Sequence, residues 1–73
     1  MKTETALFIA NLLEEELKEE TRNYKEYHSS WTENLIKASE EFFDDNAIET
    51  FELDRLIKDY YETKEWYDKK NSQ

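Results

Sequence analysis

Apolar residues fall at Ile9, Leu13, Leu17, Tyr24 and Tyr27, steps that keep them on one face of an α-helix. The spacing predicts a first helix over residues 4–27. Thr3 or Thr5 can cap it, Glu4 suits its positive end, and Arg22 and Lys25 suit its negative one. A second set, Trp31, Leu35, Ala38 and Phe42 with Ile36 and Phe43 alongside, predicts a helix over 31–43, opened by Ser30-x-x-Glu33 in the form of a capping box. Asp44, Asp45 and Asn46 break the pattern, and Asn46-x-x-Glu49 has the same capping form. Ile48, Leu53, Leu56, Ile57, Tyr60, Tyr61, the stem of Lys64, and Tyr67 then predict a third helix over 47–69, with Lys69 and Lys70 at its end and a frayed tail at 71–73. Short connections favour antiparallel neighbours, so the expected fold is a single all-α domain, a three-helix bundle. One alternative stays open. The apolar series from Tyr24 to Phe42 keeps its phase through Ser29 and Ser30, so a single helix over 4–43 packed against a second also fits.

Composition narrows the fold further. The 73 residues include no Gly, Pro or Cys. Tight turns and phosphate loops depend on Gly or Pro, so hairpins and nucleotide-cradling loops are disfavoured. Val is absent as well, and four Ile are the only apolar β-branched residues, which is poor material for strands. Without Cys there is neither a disulfide nor a thiolate metal site. A core of this size is marginal and leans on good helix packing or self-association. The run LFIANLL is preceded by Glu4 and followed by three glutamates, which fits neither a signal peptide nor a membrane span; the expected location is the cytoplasm of a bacterial host cell.

Charge changes the picture most. The chain carries a net charge of −9. Between Glu33 and Asp54 stand eight carboxylates and one cation, Lys37. Elsewhere acids and bases alternate at i,i+4, as in Glu14 with Lys18, Glu33 with Lys37, Asp54 with Lys58 and Glu65 with Lys69. In the middle the same spacing joins like charges: Glu40 with Asp44, Glu41 with Asp45, Asp45 with Glu49. Asp44, Asp45 and Glu49 are expected at the favourable start of the third helix, whereas Glu40 and Glu41 face the negative end of the second. Carboxylates that break a local rule without local compensation mark an expected address of function. Spread along a continuous helix, the acids would stand about 4 Å apart, close to the spacing of phosphates along one nucleic-acid strand. The expected partner-binding set is therefore Glu40, Glu41, Asp44, Asp45, Glu49 and Glu52, with Phe43, Trp66 and Tyr67 as aromatic anchors. The partner implied is a basic protein. Nucleic acid itself and anionic membranes would be repelled.

Ala6 to Leu13 is apolar at every position but Asn11. Either this turn is the centre of the bundle, or Leu7, Phe8 and Leu12 meet another chain, as in a homodimeric adaptor. Signs of catalysis are missing. His28 is the only His and has no spaced carboxylate partners, so no catalytic, metal or cofactor site is expected. An EF-hand register that uses Ile48 as its hydrophobic position places Phe43 where a carboxylate ligand belongs and Asn46 where Gly is needed.

In size, in lacking Gly, and in the stretch EEFFDDNAIETFELD from Glu40 to Asp54, the chain resembles the small acidic helical proteins of phages and mobile elements, among them anti-CRISPR and anti-restriction inhibitors. That resemblance implies a DNA mimic that occupies the nucleic-acid-binding surface of a nuclease or CRISPR effector. An immunity protein or antitoxin facing a basic toxin would use the same surface.

Overall fold

The computed structural model describes residues 2–24 and 30–71 and is an all-α bundle of three helices: α1 (Thr3–Arg22), α2 (Ser30–Asp45) and α3 (Phe51–Asn71). Tyr27, Lys25, His28 and Ser29, which entered the expectations for the first connection, lie outside the described residues, as do Ser72 and Gln73 of the tail. α1 is the helix against which both others pack, while α2 and α3 approach one another least. The helices run up, down and up. Thr32 of α2 meets Glu20 of α1, Lys64 of α3 meets Glu33 of α2, and Tyr60 and Tyr67 of α3 meet Tyr24 just beyond α1. Because α2 lies back along α1, the single helix over 4–43 is excluded. The molecule is a rod of 49 × 19 × 16 Å, with the 46–50 connection at one end and the tyrosines towards the other.

The helix ends differ from the expected ones for identifiable reasons. Lys2, not Thr3 or Thr5, occupies the N-cap of α1, in extended conformation and with no side-chain cap bond. α1 stops at Arg22 because Asn23 leaves helical geometry and turns its amide back, donating from Nδ2 to the Glu19 carbonyl at 2.9 Å and to Glu19 Oε1 at 3.0 Å. Ser30 is the first described residue of α2, and the Glu33 carboxylate accepts from Lys64 Nζ at 2.8 Å. At the far end of α2, Ile48 N–H donates to the Phe43 carbonyl at 2.9 Å and Ala47 N–H to that of Asp44 at 3.2 Å, with Ala47 at φ 53°. This is a Schellman closure built without glycine. The expected Asn46-x-x-Glu49 capping box is therefore absent: Asn46 ends α2, donating from Nδ2 to the Phe42 carbonyl, and α3 begins after Thr50, whose hydroxyl donates to Asp54 at 3.0 Å.

A left-handed Ala costs about 1 kcal/mol through its Cβ, and glycine does not bear that cost. Ala47→Gly should therefore raise the melting temperature by about 4–8 °C in a domain of this length, measured by thermal circular dichroism.

The core contains Ala10, Leu17, Tyr24, Ile36, Phe43, Leu53, Leu56 and Tyr60. On α2 the buried face is Thr32, Ile36, Ser39 and Phe43, one residue out of phase with the expected stripe of Trp31, Leu35, Ala38 and Phe42. The hydroxyls tolerate burial because each has a partner: Ser39 donates to the Leu35 carbonyl at 2.7 Å, and Thr32 lies 3.5 Å from Glu20 Oε1. Small side chains there, with Ala6 and Ala10 buried on α1, suit close packing of α1 on α2.

Candidate acidic interface

α2 ends at Asp45 rather than at Phe43, and that changes the electrostatics of the acid run. Asp44 and Asp45 occupy the last turn of α2, which contains no basic residue, so they stand at the negative end of a helix dipole and not at the positive start of the next helix. Glu40 and Glu41 lie one turn earlier, and Glu49 lies in the connection before Thr50. All five carboxylates are exposed, and among the described residues none of them forms an ion pair. Lys37 is exposed and, among the described residues, forms no ion pair either.

The left-handed turn at Ala47 also folds the run back on itself. The acids do not form the linear ladder expected of a continuous helix; they gather around one end of the rod. Glu52 separates from the set, because Arg55 binds its carboxylate through both Nε and Nη2. That hydrogen bonding, ahead of the Arg55 charge, holds Glu52 below the usual glutamate value. Glu33 is likewise held low, first by the hydrogen bond from Lys64 and then by its charge, and Lys64 is held high in return. The expected pairs of Glu14, Glu33 and Asp54 with a lysine four residues on are replaced by Lys18–Glu15, Glu33–Lys64 and Thr50–Asp54 contacts, while Glu65–Lys69 forms as expected at 3.0 Å.

Glu14 shifts the other way. Burial, then the nearby Glu52 charge, raise its pKa. A raised carboxyl destabilises the fold at neutral pH and ceases to do so as pH falls below the unfolded value of about 4.3; Glu33 and Glu52, held low, lose their stabilising effect as pH falls through their folded values. Glu14→Gln should raise stability at pH 7 by on the order of 0.5 kcal/mol, and the gain should vanish below about pH 4, as read from urea melts across pH.

The aromatic anchors are not where the sequence suggested. Phe43 is only 1% exposed and belongs to the core, so it cannot anchor a partner. Trp66 is exposed, but it lies about 21 Å along α3 from Glu52 at 1.5 Å per residue, far from the acids. Tyr67 is partly buried and stacks on Tyr24 at 5.4 Å, with Trp66 edge-on to it at 4.8 Å and Lys70 Nζ 5.0 Å above the Trp66 ring. These rings close the opposite end of the bundle, where burial raises the Tyr24 and Tyr60 hydroxyls above their ordinary pKa. The aromatic beside the acids is Phe51, the first residue of α3 and 85% exposed, between Glu49 and Glu52 in the chain. Its signal was phase: on α3 it falls opposite Leu53 and Tyr60.

Leu7, Phe8 and Leu12 all point outward although α1 is the central helix. Leu7 lines a crevice of about 290 Å³ with Thr3, Ala6 and the 46–49 connection, next to Glu49. Phe8 and Leu12 lie on the outer surface of α1, with Phe8 63% exposed. No group of three or more His, Asp or Glu is arranged to hold a metal ion, and no helix is long and apolar enough to cross a membrane, both among the described residues.

The fold and this surface define a three-helix bundle with an acid-faced end. No protein-family model, curated protein or solved structure matches the chain.

Proposed function

We propose that the protein is a stoichiometric inhibitor of a basic, nucleic-acid-handling protein, a nuclease or CRISPR effector, whose phosphate-binding surface it occupies. The observation that carries this reading is the set of five exposed, unpaired carboxylates, Glu40, Glu41, Asp44, Asp45 and Glu49, at one end of the rod, with Asp44 and Asp45 set against the negative end of α2. A surface acid needed only for solubility has no reason to stand where it weakens its own helix, whereas one that meets Lys and Arg of a partner is compensated on binding. Phe51 replaces Phe43 as the apolar contact, since it is exposed in the same region. Charge complementarity speeds encounter, and the ring slows dissociation.

The test is capture from a bacterial lysate at about 50 mM and about 200 mM salt, by the parent protein and by a variant carrying Glu40→Lys, Glu41→Lys and Glu49→Lys. The expected result is a nucleic-acid enzyme that the parent holds at low salt and inhibits, and that the variant neither holds nor inhibits. Binding and inhibition that survive the reversal would overturn the proposal. A lone basic toxin as the captured protein would reassign the same surface to immunity.

A further inference from the structure

The out-of-phase burial of α2 leaves an apolar strip that the fold does not use up. At about 100° per residue, Trp31, Leu35, Ala38 and Phe42 run along the flank of α2 that turns away from α3, whose side is marked by the Glu33–Lys64 pair. On α1 the flank towards α2 is marked by Glu20, which meets Thr32, and Ile9, Leu12 and Leu13 fall on that flank or just outside it. The two rows meet along the α1–α2 seam on the face opposite α3. Leu35, Phe42, Ile9 and Leu13 are half-buried there, while Trp31, Ala38 and Leu12 are exposed. The strip from Trp31 to Phe42 is about 16 Å long, three turns of helix.

The charges around this seam have one sign. Glu16 lies on this flank of α1, and Asp45 borders it on α2. The cations of these two helices point elsewhere: Lys18 and Arg22 face the α3 side of α1 and pair with Glu15 and Glu19, and Lys37 lies on the outer side of α2. A second copy of the chain docked here about a two-fold axis would bring one acid-bordered strip against another, with no cation on either side to offset it. A helix with an apolar stripe flanked by Lys and Arg has the complementary pattern, and a two-helix seam is a common receptor for such a helix.

We propose that the α1–α2 seam is a docking groove for a basic amphipathic helix of a partner protein, read by apolar residues at i, i+3 or i+4, and i+7 and by flanking cations. The groove shares only Asp45 with the acidic end and lies apart from Glu40, Glu41, Asp44 and Glu49, and its occupant need not belong to a nucleic-acid enzyme. The two surfaces can therefore fail separately.

The probe is a Leu/Lys amphipathic peptide of about 14 residues, long enough for the three-turn strip, titrated into Trp66→Phe protein so that Trp31 alone reports. Saturable binding with a blue shift of Trp31 emission is expected. Joint substitution Leu12→Gln and Ala38→Gln, both at exposed helical positions, should weaken it by about tenfold, on the scale of losing two apolar contacts. Glu40→Gln with Asp44→Asn, away from the groove, should leave it within about twofold, since exposed charges contribute little each. Unchanged affinity in the Leu12/Ala38 variant, or a Trp31 emission that does not move, would overturn the proposal. So would sedimentation showing a micromolar homodimer abolished by the same two substitutions, because the seam would then belong to a second copy. Inhibition that survives reversal of Glu40, Glu41 and Glu49 while the Trp31 response is intact would refute the acidic-end reading and leave the groove standing; inhibition lost on that reversal, with the Trp31 response lost only in the Leu12/Ala38 variant, would support both surfaces separately.

Discussion

Asp44→Lys combined with Asp45→Lys should make the protein more stable while removing its partner binding. Each aspartate lies in the last turn of α2, where an acid costs about 0.3–1 kcal/mol and a lysine gains a similar amount. Each also stands four residues beyond another carboxylate, Glu40 or Glu41, in a like-charge spacing that costs roughly 0.2–0.5 kcal/mol. Together the two changes should stabilise the fold by about 2 kcal/mol, or about 8–16 °C in melting temperature. The gain should shrink as salt is added, because these groups are exposed and screened. A surface that is easily improved for stability yet needed for binding is the expected signature of a stability–function conflict. Melts and binding measured on one preparation of the double variant check both halves. Unchanged or lower stability would contradict the placement of these residues at the negative pole of α2.

Phe43→Ala should remove most of the fold's stability. Phe43 is 1% exposed, lies in the core with Leu53 and Tyr60, and is the residue whose carbonyl closes α2 through Ile48. Truncating a buried Phe costs about 3–5 kcal/mol. A chain of 73 residues has only about 4–11 kcal/mol in total at typical values per residue. The variant should be partly unfolded at room temperature. Phe42→Ala, one position away on the half-buried seam, should lose less than about 2 kcal/mol and still melt cooperatively. Urea denaturation of the pair distinguishes them. Equal losses would contradict the phase of α2 described above.

That phase is where sequence reasoning stopped short. Three helices were legible because a period near 3.6 recurs over long segments that lack every strong turn former. The inward face of α2 was not legible. The largest apolar residues, Trp31, Leu35 and Phe42, pointed to one face, but close packing of α1 on α2 favours small residues, and Thr32 and Ser39 are buried at no polar cost because their hydroxyls are satisfied. Tertiary packing, not the size of the apolar residues, decides between the two faces. The end of α2 was hidden for a different reason. A left-handed cap is usually signalled by Gly, and Ala47 carries no such signal, so Asn46 read equally well as the start of a helix or the end of one. The error in placing Asp44 and Asp45 follows from that single residue. The acid-rich end itself was visible in the sequence as a run of charge, but its members Glu52 and Phe43 were not separable from it without the Arg55 contact and the core. Phe51, which replaces Phe43 beside the acids, was recoverable from helix phase alone.

The acids at this end are arranged at the expense of the helix they terminate, and that expense is explained if Lys and Arg of a phosphate-binding surface neutralise them. The most direct test is competition on the captured nucleic-acid enzyme, with labelled nucleic acid bound and the protein added up to equimolar amounts. Displacement of the nucleic acid in step with the added protein, absent for the variant with Glu40, Glu41 and Glu49 reversed to Lys, is the predicted result. A ternary complex in which the nucleic acid stays bound, or equal displacement by the reversed variant, would contradict it.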